Sequence, residues 1–224
     1  MQEPAAPEVA YPFRDPLPSR ELARGSPALF VSNLSPGACA AELRRRNLPV
    51  ARDAGAAVGV SGPVRLTGAM HGVRFLTPSR KSVYGKLDCR LALALDELAK
   101  VLERHGVTRV RVDNLYRPNA RLAGTHTRSQ HRYGLAVDVV SFELDSGLEL
   151  SVEHDWHGAL ESPPCGPESV LSEASEKAIA LRNLVCDVAK SSLFNHILTP
   201  NFNAAHRDHL HLDIKRGDPR WTVE

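Results

Sequence analysis

The chain has 224 residues, of which 42% are hydrophobic and 24% charged, with a net charge of +2. This composition excludes global disorder, and near-neutrality with only 5% aromatics offers no nucleic-acid stripe or stacking platform. No run of about 18 apolar residues occurs, so no membrane-spanning helix is expected.

Residues 1–28 carry Pro4, Pro7, Pro12, Pro16, Pro18 and Pro27 with little periodicity. Such a stretch buries too little apolar area to offset its ordering entropy, and it reads as a Pro-rich tail or linker before a single domain over 29–224. Met1-Gln2-Glu3-Pro4 lacks the basic-then-apolar pattern of a signal peptide, so export would require a signal already removed. Order is expected from Ala28-Leu29-Phe30-Val31, followed by a turn at Ser35-Pro36-Gly37 and a short helix from Ala38 to Arg46.

Val64-Arg65-Leu66 and Val73-Arg74-Phe75 alternate as half-buried strands do. Leu91, Leu95, Leu98 and Leu102 recur at spacings of four and three, which predicts a helix from Cys89 to His105 stopped by Gly106. Thr108, Val110 and Val112 then alternate with Arg109 and Arg111 as a strand. Asp113 to Gln130 is a polar loop, Leu135 to Leu144 a strand, and Leu148 to Val152 its hairpin partner across Asp145-Ser146-Gly147. A second long helix is expected from Ser172, with Ala174, Ala178, Leu181, Val185 and Val188 on one stripe. Phe194 to Thr199 reads as a strand. In the last strand Leu210, Leu212 and Ile214 face one way while His209, His211 and Asp213 face the other. Helices and strands mix without regular alternation, which favours an α+β fold.

The chemistry concentrates in two stretches. Ser129 to Asp138 contains His131 and Asp138, with Gly134 permitting a close turn between them, and His206-Arg207-Asp208-His209-Leu210-His211 supplies three more imidazoles. Neutral imidazole and carboxylate are zinc ligands, and three protein ligands with one open position is the catalytic pattern. Strands carrying Asp138 and His211 can bring both to one point, with His131 just before its strand. A catalytic zinc held by His131, Asp138 and His211 is therefore expected. His209 lies about 7 Å along the strand from His211, near the limit for sharing a metal, and is better placed beside the water. Asp208 could take that water's proton. The bland alternative is a satisfied His131–Asp138 pair and a solvated turn.

Cys39, Cys89, Cys165 and Cys186 are dispersed without a C-x-x-C pair, which fits two disulfides in an oxidising compartment or four buried thiols. Of three connectivities, Cys39–Cys89 and Cys165–Cys186 are expected, each tying a loop or short helix to a long helix.

Ser129-x-His131-x-x-Gly134-x-Ala136-x-Asp138 and His209-x-His211 resemble the two signatures of the zinc peptidase group that includes D-Ala-D-Ala carboxypeptidases, penicillin-insensitive murein endopeptidases and the Hedgehog signalling domain. More closely, Asn203 to Asp213 is similar to the end of bacterial extensin-like C-terminal domain proteins, and the Asp88-Cys89 helix start fits that subfamily. The resemblance covers roughly Ser35 to Ile214. It implies a small antiparallel sheet flanked by helices, Zn2+ on His131, Asp138 and His211, and Asp208 at the general-base position with His206 as rival. It also implies a substrate- or oxyanion-binding role for Arg117. The substrate so implied is peptidoglycan stem peptides or cross-links, met by a monomer in the periplasm or outside the cell. A non-catalytic zinc-stabilised wall-binding module and a wall protein with a degenerate site remain open beside the peptidase.

Overall fold

The computed structural model describes residues 11–18, 26–52, 54–79, 81–122 and 125–224. The fold is α+β, as expected. Two N-terminal helices, α1 (Pro27–Asn33) and α2 (Pro36–Arg45), lead into it. Ser35 accepts the Ala38 amide and Pro36 opens α2 directly, so the expected turn at Ser35-Pro36-Gly37 is the helix start itself. Proline suits that first position, where its missing N–H has no intrahelical partner to lose.

A small antiparallel sheet follows, in the order β1 (Val50–Ala51), β2 (Pro63–Leu66) and β4 (Leu87–Asp88). Asp88 then caps α3 (Cys89–Arg104) by accepting the Arg90 amide, and Gly106 ends it at φ +70°. The predicted leucine stripe is buried, but so are Ala92, Leu93, Ala94, Ala99 and Val101. The helix is covered on more than one face because α1 and α2 pack against it, as do β5 (Val107–Val112) and α5 (Glu176–Lys190).

Among the described residues the main sheet has seven strands: β3 (Arg74–Leu76), β5 (Val107–Val112), β6 (Ala136–Leu144), β7 (Glu149–Ser151), β8 (His196–Leu198), β9 (Leu210–Asp213) and β10 (Thr222–Val223). Six lie in the order β10-β8-β9-β6-β5-β3, and β7 pairs with β6. The sheet is larger than expected and mixed, because β3 runs parallel to β5 and β10 parallel to β8. The first parallel pair follows from its connection, since α3 lies between β3 and β5 and a helical crossover returns the chain in the same direction.

β7 passes straight into a short helix, α4 (Val152–Asp155). The second long helix, α5, spans Glu176–Lys190 and starts four residues later than Ser172. Ser175 is the cap, whereas the Ser172 amide and hydroxyl both donate to the His157 carbonyl and belong to the preceding loop.

Of the Pro-rich stretch, residues 1–10 and 19–25 lie outside the described residues. Residues 11–18 lie against α5: Phe13 is buried, its amide donates to Asn183, and Lys190 reaches Asp15 at 3.0 Å. Both expected disulfides are present. Cys39–Cys89 joins α2 to the first residue of α3, and Cys165–Cys186 joins the 156–171 loop to α5, with Cα separations of 6.2 and 5.7 Å. Closing loops of 50 and 21 residues, they stabilise the fold by about 4 and about 3 kcal/mol on the loop-entropy account.

Candidate metal centre

Strand register brings the first two functional side chains together. β6 and β9 are antiparallel with Asp138 directly opposite His211, so both project from the same face of the sheet. His131 arrives from a 3-10 turn over Gln130–Tyr133, whose start Ser129 caps by accepting the His131 amide at 3.3 Å. Gly134 closes the turn at φ +63° and ψ 27° and turns the chain into β6. A Cβ there would stand 2.8 Å from the Asp88 amide nitrogen, so glycine serves both the left-handed backbone and the close approach to β4.

Three atoms converge. His131 Nε2 is 2.9 Å from Asp138 Oδ1 and 3.1 Å from His211 Nδ1, and His211 Nδ1 is 3.0 Å from the same oxygen. All three side chains are buried. Their outer contacts decide the protons. His131 Nδ1 faces the Leu115 carbonyl at 3.3 Å, and His211 Nε2 faces Asp213 Oδ2 at 3.2 Å. A carbonyl and a carboxylate only accept, so the outer nitrogen of each ring carries the hydrogen. Each inner nitrogen then turns a lone pair toward the other and toward a carboxylate oxygen. Three such atoms about 3 Å apart, shut away from water, can hold a cation among them. Tetrahedral zinc, with bonds of about 2.0–2.1 Å, sets ligand atoms about 3.3 Å apart, close to what is seen. The donors present fit a metal.

The electrostatics agree. Burial lowers the His131 pKa and keeps that ring neutral. Burial also acts to lower His211, but hydrogen bonds donated by the ring to Asp138 and Asp213 prevail and raise it to about 9. Asp138, which burial would raise, is held well below the usual carboxylate range by the two histidines. In the absence of metal a proton on His211 does the cation's work.

The remaining predicted residues gather around this point. His209 Nε2 is 3.8 Å from Asp138 Oδ1, and its Nδ1 is 2.8 Å from Asp208 Oδ1. Asp208 is half exposed and meets the triad only through His209, rather than facing it directly. The His206 ring lies 5.0 Å from that of His209 and 6.1 Å from that of His211, with burial pushing its pKa down to about 4. Arg117 Nη2 stands 4.0 Å from Asp138 Oδ2.

A family model described as "Extensin-like protein C-terminus" matches residues 37–223. The chain belongs to that family. No curated protein and no solved structure matches it.

Sequence reasoning missed two parts of this extensin-like domain's centre. Asp213 was read as sharing a face with His211, yet its partnership was not seen, and His196 was not singled out. Asp213 Oδ1 receives His196 Nδ1 at 2.7 Å, from directly across β8 and β9, so a His196–Asp213–His211 chain fixes the ring that faces the metal position. The period-2 spacing of His211 and Asp213 was the available signal; His196 needed the strand register. Outer partners of this kind set ring orientation and basicity, so Asp213→Asn should weaken the binding of a metal at this position about 10- to 100-fold. Competition titration against a chromophoric chelator measures this, and unchanged affinity would remove Asp213 from the centre.

Proposed function

We propose that this extensin-like domain is a zinc-dependent peptidase that hydrolyses peptide bonds in peptidoglycan stem peptides or their cross-links. The observation that carries the reading is the convergence of two imidazole nitrogens and one carboxylate oxygen beside a hydrogen-bonded Asp208–His209 pair. Its signatures Ser129-x-His131-x-x-Gly134-x-Ala136-x-Asp138 and His209-x-His211 resemble those of the carboxypeptidase, murein endopeptidase and Hedgehog group. Two disulfides fit the periplasm or the cell exterior, and no helix among the described residues is long and apolar enough to cross a membrane.

Zinc, when bound, supplies Lewis acidity toward the scissile carbonyl and a water acidic enough to react near neutral pH. The chain supplies the proton handling. His209 Nε2 faces the triad and can accept the water's proton. Asp208 holds the opposite nitrogen and stabilises the imidazolium that results. This makes the pair, rather than Asp208 alone, the general base and subsequent donor to the leaving amine. The Arg117 guanidinium offers donors to the negative charge that develops on the carbonyl oxygen. His206, neutral beside His209, lines the same space.

One observation favours a second reading. The side chains of His131, Asp138 and His211 are only 0%, 3% and 7% exposed, as ligands of a purely structural metal would be. In that case zinc fastens β6, β9 and the His131 turn, and the domain only binds the wall. Digesting purified peptidoglycan with and without chelator, followed by mass analysis of released peptides, separates the two. The peptidase reading expects release that chelator abolishes and zinc restores; no released peptide under either condition leaves the binding module.

A further inference from the structure

The segment 114–137, which leads into the metal centre, contains Arg117, Arg121, Arg128 and Arg132 and no acidic residue, although the chain as a whole carries 28 basic and 26 acidic side chains. Part of it folds into a short antiparallel ribbon. The Leu122 amide donates to Thr127 O at 2.9 Å and the Ser129 amide to Ala120 O at 3.1 Å. Between those bonds Arg121 and Arg128 form a bridge pair, directly opposite one another. This is the closer, non-hydrogen-bonded kind of pair, with side chains on one face of the ribbon. Two exposed guanidinium groups placed this way repel, and like charges directly opposite destabilise a ribbon.

Among the described residues no carboxylate pairs with Arg121, Arg128 or Arg132, as is also true of Arg74, Arg104 and Arg111, whereas Arg45, Arg46, Arg90, Arg109 and Arg220 each pair with an Asp or Glu. Of Arg121, Arg128 and Arg132, two donate to neutral acceptors instead: Arg121 to the His126 carbonyl at 3.0 Å and Arg132 to Asn119 Oδ1 at 3.1 Å. Arg132 adjoins His131, and Arg117 N is bonded to the His131 carbonyl, so the ribbon is attached to the metal centre itself.

We infer that the Arg121–Arg128 pair is an anion clamp that seats a free carboxylate of the peptide substrate beside the metal centre, with Arg132 flanking it. The peptide identity rests on the proposed function; the need for an anion rests on the ribbon alone. Guanidinium forks match carboxylate geometry, and the acid-free surround draws such groups in at low ionic strength. The preferred substrate is therefore one whose side-chain or terminal carboxylates are free rather than amidated.

The test measures binding, with cleavage scored separately. Wild type and the double variant R121Q/R128Q are sedimented with isolated peptidoglycan sacculi, either native or with carboxylates amidated by carbodiimide and ammonia. Wild type should bind native sacculi about tenfold more tightly than amidated ones at low salt, and the variant should lose that preference. Both side chains are exposed, and equal melting temperatures confirm that the variant folds. Equal binding of wild type to both preparations, or an undiminished preference in the variant, overturns the clamp. Selective binding without any cleavage keeps the clamp and removes the peptidase reading; cleavage without selective binding does the reverse.

Discussion

Protein purified without chelator should carry about one zinc per chain, and stripping it should destabilise the fold by about 4 kcal/mol where free zinc stands at a thousand times its dissociation constant. The size of the effect follows from mass action, and its pH dependence from the geometry of the three atoms. Without a cation, two imidazole nitrogens and a carboxylate oxygen sit about 3 Å apart in a dry pocket, and only a proton on His211 reconciles them. That proton sets the pH dependence. The raised His211 pKa contributes stability to metal-free protein that is complete below the ordinary histidine value and fades as pH climbs through about 9. The gap between metal-loaded and metal-free melting temperatures should therefore widen from pH 6.5 to pH 9. Replacing His131 and His211 together with Ala should abolish the metal and the gap. A double variant that retains a full equivalent of zinc would refute the assignment.

Asp208→Ala and His209→Ala should each retain zinc and fold while losing about 10²- to 10⁴-fold in hydrolysis of stem peptides or cross-links. Neither residue belongs to the triad, yet His209 Nε2 is 3.8 Å from Asp138 and its other nitrogen is committed to Asp208. Because the two act as one unit, the double variant should be little worse than the worse single. Asp208→Asn should fall between wild type and Asp208→Ala, since an amide can still accept from His209 but cannot stabilise its cation. If Asp208→Ala stays fully active and His206→Ala is inactive, the base is His206. The comparison is made on metal-loaded protein, with zinc content measured in every variant.

Much of the centre could be read from period and residue type. The alternation of Leu210 and Leu212 with His211 and Asp213 separates an apolar anchoring face of β9 from the face that meets Asp138, and the Ser129 to Asp138 spacing supplies the other two candidate ligands. Pairings between distant segments could not be read this way. His196 meets Asp213 only because β8 lies beside β9, and Arg121 meets Arg128 only through the hydrogen bonds inside what read as a featureless polar loop. The edge strands β3 and β10 have three and two residues, too few to display a period, so the mixed character of the sheet was hidden. The start of α5 was misplaced because Ser172 and Ser175 are chemically equivalent as caps; the His157 carbonyl, far off in sequence, selects between them.

The antiparallel pairing of β6 with β9 also dictates an order of events during synthesis. His131 and Asp138 are separated by seven positions, whereas His211 lies seventy-three beyond Asp138. A chain emerging from its N-terminus carries two ligands long before the third exists, and α5 and β8 must leave the ribosome first. A metal held by His131, Asp138 and His211 would meet its full ligand set only once β9 has docked on β6, and would then lock a sheet already assembled.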